Sequence, residues 1–192
     1  PRWCLGMAGT RRRQFGNIVG HVKGVTDMAN LGAWTAQQFD PRLNWGDVEW
    51  IKKRWGGKLI LKGIQDIEDA KLAVDSGADA LIVSNHGGRQ LDGAVAPLRV
   101  LPAIVEQAGS GMTVMLDGGI RRGTDVIKAL ALGAQAVFVG RPFNYAAAVD
   151  GEAGVTAAID LLRAEVDRNL AMLGATTCAA PGPEHLMERR TR

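Results

Sequence analysis

The chain has 192 residues, 46% of them hydrophobic, with 23 basic residues against 20 acidic ones. That is enough apolar material for one sizeable core, and a net charge of +3 gives no reason to expect a nucleic-acid partner. Two cysteines, Cys4 and Cys178, are too few for a disulfide framework and lack metal-ligand spacing, which points to a reducing, cytoplasmic-side setting and no metal.

No apolar run reaches the roughly eighteen residues of a membrane span. The start, Pro1-Arg2-Trp3, shows neither an initiator Met nor a signal-peptide pattern, and reads like the middle of a longer chain. Residues 1–43 are Gly-rich, with scattered apolar residues and no sustained period, which predicts a long, partly helical loop. Basic residues gather there as Arg11, Arg12 and Arg13, and at the other end as Arg189, Arg190 and Arg192; such clusters are ordinarily solvated. From residue 44 the pattern is regular. Asn44 can cap a helix in which Trp45, Val48, Trp50, Ile51 and Trp55 form an apolar stripe, closing at Gly56-Gly57. Four apolar strands follow, at 59–61, 80–83, 112–116 and 136–139. Helices are expected over roughly 66–76, 97–108, 123–132 and 152–173. Gly77-Ala78 and Gly133-Ala134 supply left-handed helix stops. Continuous apolar strands alternating with amphipathic helices predict an α/β fold with a parallel sheet.

The polar chemistry collects just after the strands. Lys62 closes the first, Ser84-Asn85-His86-Gly87-Gly88-Arg89-Gln90 follows the second, Asp117-Gly118-Gly119-Ile120-Arg121-Arg122-Gly123 the third, and Gly140-Arg141-Pro142 the fourth. In a closed β/α barrel the active site lies at the C-terminal ends of the strands, with phosphate held by the loops after the last two. The stretch from Asp117 to Gly123 can offer backbone N–H groups and a guanidinium to a phosphate; alone it reads equally as a Gly-rich turn with a helix cap. With Gly140-Arg141 on the adjacent strand it makes a mononucleotide phosphate cup. His86 alone would read as a structural histidine. Arg89, three residues on, changes that: one loop then carries an anion-binding fork for a substrate carboxylate and a base for its α-hydroxyl proton. Lys62 is either a core lysine snorkelling outward or, at the same mouth, a positive charge facing a bound anion. His21 and His185 have no such company and read as incidental.

In this order and spacing the residues resemble the FMN-dependent 2-hydroxy-acid dehydrogenase and oxidase family, which includes glycolate oxidase, L-lactate dehydrogenase and (S)-mandelate dehydrogenase. The resemblance covers about residues 40–175 and rests on Lys62-Gly63-Ile64, the string from Ser84 to Asp92, the stretch from Asp117 to Gly123, and Gly140-Arg141-Pro142. It implies an enzyme that oxidises an (S)-2-hydroxy acid, L-lactate or (S)-mandelate foremost, to the 2-oxo acid with FMN as cofactor. It further implies His86 as active-site base, Arg89 on the substrate carboxylate, Lys62 at the flavin pyrimidine edge and Ser84 hydrogen-bonded to that ring. Asp117, Gly118, Gly119, Arg121, Gly140 and Arg141 fall to the ribityl chain and phosphate, and Asp92 to no role beyond bracing its loop.

The fold implied is a (β/α)8 TIM barrel in which this chain supplies strands five to eight, with residues 44–192 as the C-terminal half of the barrel. Residues 1–43 then fall in the segment after strand four, as a lid or a membrane-contacting region. Half a parallel barrel leaves two sheet edges and an open core, so the N-terminal half of the same barrel is the first expected partner. The resemblance also implies a homotetramer. In related dehydrogenases the long segment is thought to touch the bilayer. Here Arg11, Arg12, Arg13 and Lys23 flank Phe15, Ile18, Val19 and Val22, which suits peripheral contact with the inner face of the cytoplasmic membrane. That likeness favours a quinone over oxygen as electron acceptor. The rivals are an oxygen-using oxidase, an FMN barrel with another substrate, and a non-catalytic phosphate-binding half-barrel.

Overall fold

Four short apolar stretches pair in the order in which they occur: β1 (Ile60–Ile64), β2 (Ala80–Ser84), β3 (Thr113–Asp117) and β4 (Ala136–Phe138). Every pairing is parallel, with Leu81 opposite Leu61, Val114 opposite Leu81, and Val137 opposite Leu116. The computed structural model describes residues 2–10, 15, 16, 18, 19, 21–23 and 28–187. It separates into two units, Pro1–Asn44 and Trp45–Arg192.

In the first unit, α1 (Arg2–Gly9) and α2 (Met28–Gln38) are helical where a loop with partial helix was expected. Between them, the amides of Ile18 and Val19 donate to the Phe15 carbonyl in a turn. The arginine clusters 11–13 and 189–192 lie outside the described residues. Among the described residues no helix is long and apolar enough to cross a membrane.

In the second unit, α3 (Trp45–Trp55) precedes the sheet, and α4 (Ile67–Asp75), α5 (Pro97–Ala108), α6 (Gly123–Ala131) and α7 (Arg141–Met172) each follow a strand. The Asp66 carboxylate accepts the Glu68 amide at 2.8 Å and so starts α4. Both Gly-Ala stops form the same closing pair of bonds. Gly77 N and Ala78 N donate to Val74 O and Ala73 O, and Gly133 N and Ala134 N to Leu130 O and Ala129 O. Each glycine takes the positive φ that this ending requires, +76° and +99°. The α3 stripe is not a core face: Trp45 packs on the core, but Trp50 and Trp55 are exposed. Steps of five residues carry each tryptophan about 140° round the helix from the last.

The two-residue period of the strands sorts the core. Leu81 and Val83 of β2 and Val114 and Leu116 of β3 face the helices, where they bury Ala70, Ala73, Leu101, Ile104 and Ala129. On the opposite face Ala80, Ile82 and Met115 form a small buried group, flanked by Ile60 at 48% and Phe138 at 44% exposure. At the N-terminal end of the sheet the Asp79 carboxylate pairs with Lys52, with Lys58 at 2.8 Å and with the Leu59 amide at 2.8 Å. Hydrogen bonds from Lys52, Lys58 and Leu59 hold that carboxyl well below the usual carboxylate range. The cluster ties α3 to the bottom of the sheet, away from the strand ends that carry the candidate site.

Gly123 opens α6 against α7. A Cβ there would lie 2.6 Å from the Glu165 carbonyl carbon, and the Gly123 amide donates to Glu165 Oε2 at 2.8 Å. This amide first, then Arg122, keeps the Glu165 carboxyl below its ordinary value. Gly123→Ala is therefore expected to lower the unfolding free energy of the full-length protein by about 1–3 kcal/mol, the usual cost of overpacking. An unshifted denaturant midpoint would show that the two helices can part without cost.

Candidate active site

The open face of the sheet ends in polar residues. Lys62 on β1, Ser84 closing β2 and Asp117 closing β3 point the same way as Ile82 and Met115, because each is an even number of positions from them or from a neighbour in register. Lys62 Nζ lies 2.7 Å from Asp117 Oδ2 and donates to Ser84 Oγ at 3.1 Å, while Ser84 Oγ donates to the same Asp117 oxygen at 2.9 Å. Partial burial raises the Asp117 pKa, but the hydrogen bonds from Lys62 and Ser84 and the nearby charge outweigh it, leaving the carboxyl below its ordinary range. The three strand ends thus share one ionic knot.

His86 begins the turn after β2. Gly88 N donates to Asn85 O at 3.0 Å and Arg89 N to His86 O at 3.3 Å. His86, Gly87 and Gly88 all have positive φ, +54°, +67° and +72°, and His86 is the one non-glycine among the described residues to do so. Such a backbone costs on the order of 1–3 kcal/mol and needs its surroundings to hold it. Here His86 N donates to Ser84 Oγ at 3.0 Å, Gly87 N to Asn85 Oδ1 at 3.0 Å, and Arg141 Nη2 to Gly87 O at 2.9 Å. The imidazole lies over β1 at Gly63, where a Cβ would come within 3.0 Å of His86 Cε1.

A cleft of about 430 Å³ opens at these strand ends, of a size that small-molecule sites commonly have. Lys62, His86, Arg89, Asp117, Gly118, Gly119, Arg121, Gly140 and Arg141 line it. Nine of the ten residues expected at the site therefore share one cleft, and Ser84 sits beneath it, 1% exposed. Ser84 was expected to bond the flavin ring. Its hydroxyl donates to Asp117 and accepts from Lys62 and the His86 amide, so it also braces the site from below. The phosphate loop differs too. Arg121 N and Arg122 N donate to Asp125 Oδ2 at 3.1 and 3.0 Å, and Gly123 N to Glu165, so an anion here meets guanidinium groups and glycine backbone rather than those three amides. Asp92 accepts from Gly93 N at 3.1 Å within its own turn, and His185 accepts from Gly182 N at 3.2 Å. Among the described residues no group of His, Cys, Asp and Glu is placed to hold a metal.

The lining suits FMN. Four cations, Lys62, Arg89, Arg121 and Arg141, face one carboxylate, Asp117, which matches a ligand bearing a phosphate dianion. A Cβ on Gly119 or Gly140 would meet nothing within 4 Å, so the backbone there lies open to a ligand. Ile120, Phe138 and Pro142 add apolar wall for a flat ring.

Consecutive parallel strands with helices on one face, and a cationic cleft at their C-terminal ends, define half of a ligand-binding β/α barrel. The chain belongs to the FMN-dependent dehydrogenase family, whose model matches residues 1–188. It is 44% identical over 190 residues to an L-lactate dehydrogenase of Caulobacter vibrioides, covering 99% of this chain and 49% of that protein. An L-lactate dehydrogenase of Azorhizobium caulinodans is 46% identical over 181 residues, covering 93% of this chain and 47% of the relative. Among solved structures, the monotopic membrane protein (S)-mandelate dehydrogenase superposes with a TM-score of 0.89 at 39% identity, over 98% of this chain and 50% of that one. A mandelate oxidase with (S)-4-hydroxymandelic acid gives 0.74 at 45% identity, over 79% and 42%. The chain spans about half the length of the curated relatives it matches and corresponds to their C-terminal half.

Proposed function

We propose that the full-length protein oxidises an (S)-2-hydroxy acid, L-lactate or (S)-mandelate, to the 2-oxo acid. The observation that carries this reading is the meeting of Lys62, His86 and Arg89 in the cleft that also holds Arg121, Arg141 and the open glycines. FMN, when bound, would supply the acceptor for the electron pair and the hydrogen that leave the α-carbon. The protein's own groups do the rest. Arg89 pairs its planar guanidinium with the substrate carboxylate and so fixes which face of the α-carbon is presented. His86, carried out of the sheet on its strained turn, takes the α-hydroxyl proton. Lys62, anchored on Asp117, holds positive charge where negative charge gathers during the reaction. Arg121 and Arg141 take the phosphate, while Gly118, Gly119 and Gly140 let the ligand approach the backbone, and Asp117 serves both Lys62 and the ribityl chain.

The N-terminal half of the same barrel covers Ile60, Phe138 and the open face of the sheet in this reading, and the barrels assemble as a tetramer. The electrons pass to a quinone, as suits the likeness to dehydrogenases. Residues 1–43 give peripheral contact with the inner face of the cytoplasmic membrane, in keeping with the monotopic structure that this chain resembles. Deleting residues 5–30 from the full-length enzyme should then release it from vesicles in a flotation assay; equal flotation would sink the membrane role.

The test of the activity is an anaerobic visible spectrum of the full-length protein before and after adding each acid. A flavin band that bleaches with L-lactate or (S)-mandelate is expected. A band indifferent to both would remove these substrates, and a colourless, stable protein would favour the non-catalytic reading. Arg89→Met is expected to raise KM for the responsive acid about tenfold to a hundredfold and to lower kcat/KM at least as much, from loss of a charge-assisted pair. Unchanged affinity would take the carboxylate away from Arg89.

A further inference from the structure

We infer that Arg141 is a positioning residue for the catalytic turn as well as a phosphate ligand, so that the end of β4 and the His86 turn are held by one guanidinium. The inference rests on the role of the His86 turn proposed above, but the tie itself stands on geometry. Among the described residues, the other hydrogen bonds that hold residues 86–88 come from Ser84, Asn85 and the turn's own backbone, all within three positions. The Arg141 bond to the Gly87 carbonyl alone reaches the turn from another strand end, across 54 positions of sequence. Gly87 is shaped to receive it: a Cβ there would lie 3.1 Å from Arg141 Nη2, and φ at +67° already favours glycine. Three consecutive left-handed residues form a backbone that relaxes when its supports are removed. A guanidinium carries five N–H donors in a fixed plane, so one can hold the carbonyl while others meet an anion. Lysine keeps the charge but has no such fork. A phosphate that orients Arg141 therefore also orients the turn that carries His86.

The experiment begins without cofactor. Hydrogen exchange of the 85–91 segment is compared among the cofactor-free full-length wild type, Arg141→Met and Arg141→Lys, with β3 as internal reference. The amides of Gly88 and Arg89, bonded within the turn, should exchange roughly ten- to a hundredfold faster in both variants, the value of about one hydrogen bond to a charged donor. The β3 amides should not change. Unchanged exchange at 85–91 overturns the inference and leaves Arg141 as a phosphate ligand only. If Arg141→Met loosens β3 as well, Arg141→Lys decides in the same way. A second arm loads each protein with riboflavin, which lacks the phosphate. Arg141→Met should still slow flavin reduction by the substrate severalfold; an effect seen with FMN and absent with riboflavin would also overturn the tie. Failure of wild type to bind either flavin would remove the proposed activity, while the exchange result would still decide whether Arg141 holds the turn.

Discussion

Replacing His86 with Gln is expected to leave FMN bound and to slow its reduction by L-lactate or (S)-mandelate by about 10²–10⁴-fold, the usual weight of a positioned general base. His86 is held at φ +54°, and its amide is fastened to Ser84 Oγ, so the ring leaves the sheet in a fixed direction at the mouth of the cleft. Such a conformation is seldom kept unless the surroundings over-determine it, and strained residues cluster at reacting centres. Gln keeps similar length and a hydrogen-bonding end but cannot take up a proton near neutral pH. The loss should therefore fall on the reduction step, measured by stopped flow at saturating acid, with KM little changed. Reduction at the wild-type rate would remove His86 as the base.

The fold was legible where local rules and tertiary demands agree. Gly77-Ala78 and Gly133-Ala134 announced helix ends that the structure closes with the same pair of bonds. The strand at 80–83 was readable because β2 is buried on both faces and its apolar run is unbroken. Reading failed where a residue's meaning depends on a distant partner. The first strand was expected to end near Lys62, yet pairing continues through Ile64, because the register slips at Gly63 and the chain stays on the sheet. The last helix was placed from about 152, whereas helical structure begins at Arg141 and is broken at Asp150 and Gly151. Pro142 in the first turn was the available signal, since proline is tolerated there and not deeper in a helix. Asp79, Asp125 and Glu165 lay outside every motif, and Asn85 lay inside one without a role assigned to it. Their partners lie one strand or one helix away, except for Asn85 and Asp125, whose use depends on the exact path of a turn.

The site followed the same division. Which residues gather could be read from their recurrence after each strand, since a parallel sheet brings all its C-terminal strand ends to one side. What each does to its neighbours could not be read. Ser84 stands in the motif beside His86, but only the structure shows its proton spent on Asp117 and its oxygen taken by Lys62 and the His86 amide. The open face was implied by counting strands: with four rather than eight, Ile60 and Phe138 stay half-exposed among the described residues.

Gly63→Ala is expected to slow reduction by about a hundredfold, through His86 rather than through any contact of its own with substrate. Gly63 sits at the register slip between Lys62 and Ile64 with φ +108°, and an added methyl would stand 3.0 Å from His86 Cε1. The imidazole is the free end of a side chain, but its backbone is held by Ser84 and its turn by Asn85 and Arg141, so the ring must swing rather than retreat. Misplacement of a reacting group by about 1 Å can cost on the order of 10²-fold. Backbone strain at the new alanine is a separate cost, and Gly77→Ala, outside the cleft, isolates it. That glycine also has positive φ, +76°, but a Cβ there meets no atom within 4 Å. The two variants should lose comparable stability, about 1–2 kcal/mol. The decisive comparison is a double-mutant cycle. Once His86 has become Gln, adding Gly63→Ala should cost little further rate, because the group it displaces no longer takes the proton. Fully additive losses would instead place the effect of Gly63 on Lys62, the other side chain that the slip in β1 brings to the cleft.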